Sequence, residues 1–240
     1  TAKQGKPQSR ICVLIPSFTY TVYANIARGN TNKKMLERIK EWSASPWTTD
    51  NFPQFGLSTY NYHSDGSGIS SSSRRRPILT MRSNVISYPG VPGSGCRHFP
   101  ADSHLWYWLT TKGYEYDVIT DDELHKYGLA AIEKYSVLVT CSHPEYHTPQ
   151  SLNALQEYTN TGGHLMYLGG NGFYWKVAVS DVWPDAVEIR RGEGGIRAWA
   201  SEPGEYYNAF DGEYGGLWRR NGRAPQVLTG VGFTSQGDHY

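Results

Sequence analysis

Between Ser136 and Gln150 the sequence reads SVLVTCSHPEYHTPQ, which sets a thiol, two imidazoles, a carboxylate and a phenol side by side in one short stretch. The types are those of hydrolytic and metal chemistry: Cys141 as a nucleophile, His143 to orient substrate or water, Glu145 as an oxygen donor. What gives the cluster weight is its setting. Ser136–Thr140 is an apolar, β-branched run without polar alternation, as in a strand buried on both faces of a parallel sheet. Thr148–Pro149 then offers an N-cap residue followed by proline at the first helical position. Open α/β sheets place ligand sites beyond the carboxyl ends of strands, where this cluster falls. The plainer alternative is a solvated turn at His143 and Glu145, a packing role for Tyr146, and a small buried hydrophobe at Cys141.

Further polar aromatic residues follow the other strands. Ile11–Ile15 reads as a first buried strand closed by Pro16, and the loop after it, SFTYTVYANIAR, carries Tyr20, Tyr23 and Asn25. His164–Leu168 reads as a strand running into Gly169–Gly170–Asn171–Gly172. If the sheet is doubly wound, the loops holding Tyr23, His143 with Glu145, and Asn171 open on one edge. The stretch with Tyr60, Tyr62, His63 and Asp65 has the reach to fold back over it. Phenolate and carboxylate together make an anionic all-oxygen donor set, which favours ferric iron over softer ions. Such a Lewis acid polarises a carbonyl and lowers the pKa of bound water, as hydrolysis of an unreactive amide requires.

The elements that must position these residues alternate regularly. A helix from Asn32 to about Ser45 puts Met35, Leu36, Ile39 and Trp42 on one face. Pro46 to about Pro100 is a long excursion of low order, with a possible short strand at Leu79–Arg82 and a basic run, Arg74–Arg76, that reads as a solvated or subunit-facing turn. Asp102 or Ser103 caps a helix to about Lys112, stopped by Gly113. A strand at Tyr116–Ile119, one or two short helices within Asp121–Tyr135, the strand Ser136–Thr140, a helix Thr148–Asn160 and the strand His164–Leu168 follow. Strand and helix in alternation predict an α/β fold with a mainly parallel sheet and helices on both faces. From Phe173 to Tyr240 the chain is loop-rich, with strands expected at Val187–Arg191 and Pro225–Val231. No repeat or low-complexity linker divides it, so residues 1–240 read as a single domain.

Composition narrows the function classes. A net charge of +1 gives no field to draw nucleic acid or anionic lipid. No apolar run approaches the roughly 20 residues of a membrane span, and TAKQGKPQSR lacks a signal core. The three cysteines, Cys12, Cys96 and Cys141, cannot all pair, and two lie in or beside apolar strands; a reducing, cytoplasmic setting follows. The polar arm before the first strand and the uncapped end at Gly237–Tyr240 suit a piece of a larger polypeptide.

Several stretches resemble the large subunit of N,N-dimethylformamidase and its relatives: PSFTYTVYAN, GLSTYNYHSDGSG, TCSHPEYHT, HLMYLGGNGFYW, IRRGEGGIRAW and GGLWRRNGRAPQVLTGVGFTSQG. The resemblance runs over nearly the whole chain. It implies a class I glutamine amidotransferase-like (flavodoxin-like) domain with long insertions, holding a mononuclear iron through two tyrosines and one glutamate, and hydrolysis of N,N-dimethylformamide to dimethylamine and formate. Carried over, the metal ligands are Tyr23, Tyr60 and Glu145, with Tyr62 the alternative to Tyr60. His143 and Asn171 become catalytic residues beside the metal, and Arg191, or Arg190, a basic residue lining the pocket. The resemblance further implies an acidic catalytic residue beyond Tyr240, further large-subunit domains and a small helical subunit, in a hetero-oligomer that engages neither nucleic acid nor membrane.

Two rival readings remain. A cysteine-nucleophile amidotransferase-like hydrolase would use Cys141, although Cys141–Ser142–His143 is too tight in sequence for a base that usually comes from elsewhere, and no G-x-C-x-G surrounds it. A non-catalytic carbohydrate-binding module would use its Trp and Tyr rims for stacking and need no transition metal.

Overall fold

The computed structural model describes residues 6–26, 33–86, 95–192 and 205–234. In chain order the elements are β1 (Ile11–Ile15), α1 (Ser17–Val22), α2 (Lys33–Glu41), β2 (Ser71–Ser73), α3 (Phe99–Thr111), β3 (Asp117–Thr120), α4 (Asp121–Tyr127) and β4 (Val137–Thr140). They continue with β5 (Tyr146–His147), α5 (Pro149–Asn160), β6 (His164–Met166), β7 (Trp175–Lys176), β8 (Ala178–Val179), β9 (Ala186–Glu188) and α6 (Pro225–Thr229). Their contacts divide the chain into two compact units. One is drawn from residues 1–16, 116–176 and 216–240, the other from 17–115 and 177–215.

The first unit holds the α/β sheet. Its order is β3-β1-β4-β6, with every neighbouring pair parallel. Counted within this sheet the order is 2-1-3-4, the flavodoxin-type winding, whose switch point lies between β1 and β4. Strand β1 is apolar throughout because both its faces are covered: Cys12 and Leu14 are buried on one side and Val13 on the other. On the first of these faces Leu138, Ile119, Leu124, Leu152, Leu155 and Tyr158 close a core that α4 and α5 supply. Both helices start on capping boxes. Thr120 accepts from Glu123 N, and Thr148 accepts from Ser151 N while Ser151 Oγ accepts from Thr148 N. The N-cap expected at Thr148 and the apolar stripe of Leu152, Leu155 and Tyr158 are both present.

The second unit is where the long excursion goes. Its sheet is antiparallel, in the order β2-β9-β8. Arg76 ties the excursion together, donating to the carbonyl oxygens of Ser73, Phe55 and Ala24 and to Ser72 Oγ, while Arg74 and Arg75 both pair with Asp185. The basic run is thus an internal brace at one residue and an ion-pair cluster at the other two.

Several expectations are corrected. SFTYTV is the helix α1, not a loop, and all of its residues are buried. Leu79–Arg82 is a turn, in which Leu79 N donates to Asn25 Oδ1 and Met81 N to Ile78 O. Strand β2 falls instead on Ser71–Ser73. Helix α3 begins at Phe99 with Pro100 in its first turn, and Asp102, expected as a cap, is buried and accepts a hydrogen bond from Tyr20. Helix α2 ends at Glu41, and of its expected apolar face Met35 and Ile39 are buried while Leu36 and Trp42 are exposed. The proposed cap at Asn32 lies outside the described residues. The strand expected at Pro225–Val231 is helix α6, which starts on Pro225 and ends at Gly230 in the left-handed region.

Candidate active site

The chemistry-bearing residues form two sets, one in each unit. In the second unit the last turn of α1 runs on through Tyr23, whose N–H donates to Thr19 O at 3.0 Å. Asn25, at φ 56°, then ends the helix: its amide donates to the carbonyls of Pro77 and Phe55, and its Oδ1 accepts from Leu79 N. The S-T-Y segment is fixed just as firmly. Buried Thr59 donates through both N and Oγ1 to Val22 O, and Ser58 Oγ accepts from Tyr60 N. Two chain segments are thereby locked so that Tyr23 Oη donates to Tyr60 Oη at 2.7 Å, with the rings stacked 4.3 Å apart at 17°.

Arg191 closes one end of this pair. It is buried, Nη1 donates to Thr59 O at 2.7 Å, and its guanidinium lies 4.1 Å from the centre of the Tyr60 ring, within cation–π range. The two alternatives that the sequence offers are engaged elsewhere. Tyr62 is half exposed and bridges to Gly68, and Arg190 pairs with Glu188 at 2.6 Å.

In the first unit β4 delivers Cys141, His143 and Glu145. His143 Nε2 lies 2.9 Å from Glu145 Oε2, and Glu145 is only 2% exposed. The imidazole two residues away thus stands at ion-pair distance from the buried carboxylate. The Gly-rich turn after β6 is clipped onto the same loop. Gly170 N donates to Ser142 O, Phe173 N to Pro144 O, and the N–H groups of Tyr174 and Trp175 both to Glu145 O. Asn171, at φ 52°, is thus carried on a backbone held on either side to the His143–Glu145 segment. Gly169 is required by contact: a Cβ there would stand 2.8 Å from Cys141 O and 2.9 Å from Ser142 O.

The remaining reactive groups of the stretch are buried. His147 is fully buried, with Nδ1 at Ser151 Oγ and Nε2 at Pro144 O, and burial pushes it down to about 4, so it is neutral near pH 7. Cys141 is fully buried, which withholds it from substrate. Cys12, Cys96 and Cys141 form no disulfide. His98, which the sequence did not single out, stacks on Tyr23 with ring centres 4.1 Å apart. Nothing in its surroundings, RHFP, marks it as different from a surface histidine.

A family model described as N,N-dimethylformamidase beta subunit-like, C-terminal, matches residues 2–240. The chain belongs to that family. It is 36% identical over 241 residues to the N,N-dimethylformamidase beta subunit of Paracoccus aminophilus. It is 41% identical over 251 residues to the protein of the same name from an Alcaligenes species. Each alignment covers 98% of this chain and 31% of the relative, so the chain spans less than a third of the length of these N,N-dimethylformamidase beta subunits. The resemblance seen in the HPEY and LGGNGFYW segments thus extends over the whole match. In this chain these segments are the loop and the turn that the backbone bonds at Glu145 and Phe173 clip together.

Proposed function

We propose that this chain carries the hydrolytic centre of an amidohydrolase that cleaves N,N-dimethylformamide or a related small amide to an amine and formate. Family membership supports the reaction, since the relatives are named for it. The observation that carries the metal reading is the 2.7 Å contact between the Tyr23 and Tyr60 hydroxyls. Adjacent oxygen donors on one small cation, each bonded at about 2.0–2.1 Å, stand about 2.9 Å apart. The two phenols are therefore already spaced as neighbours in a coordination sphere.

Tyr23, Tyr60 and Glu145 would hold the ion, and ferric iron is the one that three anionic oxygens favour. When bound, it would supply Lewis acidity that polarises the amide carbonyl and eases deprotonation of water. The rest falls to side chains. His143, oriented by Glu145, takes a proton as water oxygen adds to the carbonyl carbon, and the proton passes to the amine nitrogen as the C–N bond breaks. Asn171 donates to the carbonyl oxygen as charge builds there. Arg191 holds Tyr60 from behind through Thr59 and the ring face.

The flavodoxin-type order of the parallel sheet supports the class I glutamine amidotransferase-like reading of the first unit. The relatives' beta-subunit names support a hetero-oligomer, which we take to include a small helical subunit and further domains of the large one, in the cytoplasm. No helix among the described residues is long and apolar enough to cross a membrane.

Elemental analysis with a visible spectrum tests the reading. The purified protein is expected to contain stoichiometric iron and a phenolate-to-iron absorption band, both lost in Tyr23→Phe and Glu145→Gln. Full iron and activity in both variants would refute it.

A further inference from the structure

We infer that His98 is a positioning residue, the end plate of a ring column that sets where the Tyr23 hydroxyl points. The inference rests on the tyrosine-ligand reading above and adds a residue that the reading does not contain. The column is built within one unit. His98 and Tyr23 stand 4.1 Å apart at 33°, Tyr23 and Tyr60 4.3 Å apart at 17°, and the Arg191 guanidinium lies 4.1 Å from the Tyr60 ring centre. Two rings cannot share one face of Tyr23 at those spacings, so His98 and Tyr60 take opposite faces. Tyr23 is a clamped plate that can neither tilt nor swing without displacing a neighbour.

The backbone of His98 points the same way. At φ 55° and ψ −126° it lies on the positive-φ side of the backbone map, where glycine is the usual residue and a side chain is strained. Strain at a residue that must carry a ring is a reason to look for what the ring does. It does not cap α3, for no side-chain hydrogen bond to the helix is made. It is 7% exposed and lies on Tyr23.

The same turn of α3 grips α1 a second time. Asp102 N donates to His98 O at 2.8 Å, and the Asp102 carboxylate accepts from Tyr20, which precedes Tyr23 by one helical turn. Phe99 packs edge-on against Tyr20 at 5.9 Å. Helix α3 thus fixes the axis of α1 through Tyr20 and the ring of Tyr23 through His98.

The test compares His98→Gly, His98→Phe and Tyr23→Phe in the whole protein, reading ferric-iron affinity by titration, the phenolate band and the thermal midpoint. His98→Gly relieves the backbone while removing the ring. It should bind iron roughly three- to tenfold more weakly, with a shifted band. His98→Phe should keep affinity and band near wild type. Wild-type affinity and band in His98→Gly would overturn the inference. A loss in His98→Phe equal to that in His98→Gly would overturn it too. Tyr23→Phe separates the two levels: if it binds iron as the wild type does, the ligand reading itself has failed.

Discussion

Single side chains decide most of what the two candidate sets can do. Asn171 and Gly169 sit on one turn and answer to different demands. Asn171 offers a carboxamide beside the His143–Glu145 loop, so Asn171→Ala should lower kcat on the order of 10²-fold while iron content stays near wild type, measured by turnover and elemental analysis side by side. Gly169 offers only the absence of a Cβ against Cys141 O and Ser142 O. Gly169→Ala should cost about 1–3 kcal/mol in a urea unfolding measurement, because backbone must move to admit it. Cys12 shows how the core answers to pH. Burial, with Asp117 nearby, pushes its thiol up to about 12 from a reference value of 9.0. Below the reference value both native and unfolded chains keep the proton and stability is intact. Between the two values the unfolded chain ionises first, so stability falls as pH rises, by up to about 4 kcal/mol at the upper end. Unfolding midpoints followed from about pH 8 to about pH 10 should drop less steeply in Cys12→Ala than in the wild type.

At the scale of elements, what was legible in the sequence was local chemistry repeated within one segment. Thr148 and Pro149 announce α5 by themselves, and Thr148→Ala should cost about 1 kcal/mol of stability, seen as a lower thermal midpoint. The apolar runs of β1 and β4 likewise predict their burial and their parallel pairing. The errors lie where a distant partner overrides local preference. The polar and aromatic residues of α1 look like a loop, but the helix meets the second unit's own strands and helices: Ser72 Oγ donates to the Thr21 backbone carbonyl, and Asp102 accepts from Tyr20. Ser71–Ser73 becomes a strand because β9 arrives to pair with it, and serine content alone gave no sign of that. Pro225 and Gly230 did carry a helix signal, start and stop, that the apolar residues between them obscured. The candidate site divides in the same way. His143 and Glu145 are two positions apart and could be read directly. The approach of Tyr23 to Tyr60, 37 positions away, depends on Thr59 reaching Val22, and only the family resemblance had paired them. His98 had neither a motif nor a near neighbour to mark it.

For the molecule as a whole, a bound ion adds to stability by mass action, since it binds the native chain and not the unfolded one. If the chain holds iron as proposed, removing it with a chelator should lower the melting temperature by roughly 5–10 °C, taking ligand at about a hundredfold excess over its dissociation constant. Tyr23→Phe should melt at the same temperature with and without chelator, as read by calorimetry. The polypeptide passes from one compact unit to the other at residues 16/17, 115/116, 176/177 and 215/216. Trimming either terminus therefore never yields a clean copy of one half. A shortened gene ending near residue 176 would keep β1, β3, β4 and β6 yet discard β8 and β9, orphaning β2 from its ladder. Anyone wishing to study the phenol pair apart from the imidazole–carboxylate pair would need to re-splice the coding order, because the two are woven from alternating lengths of a single thread.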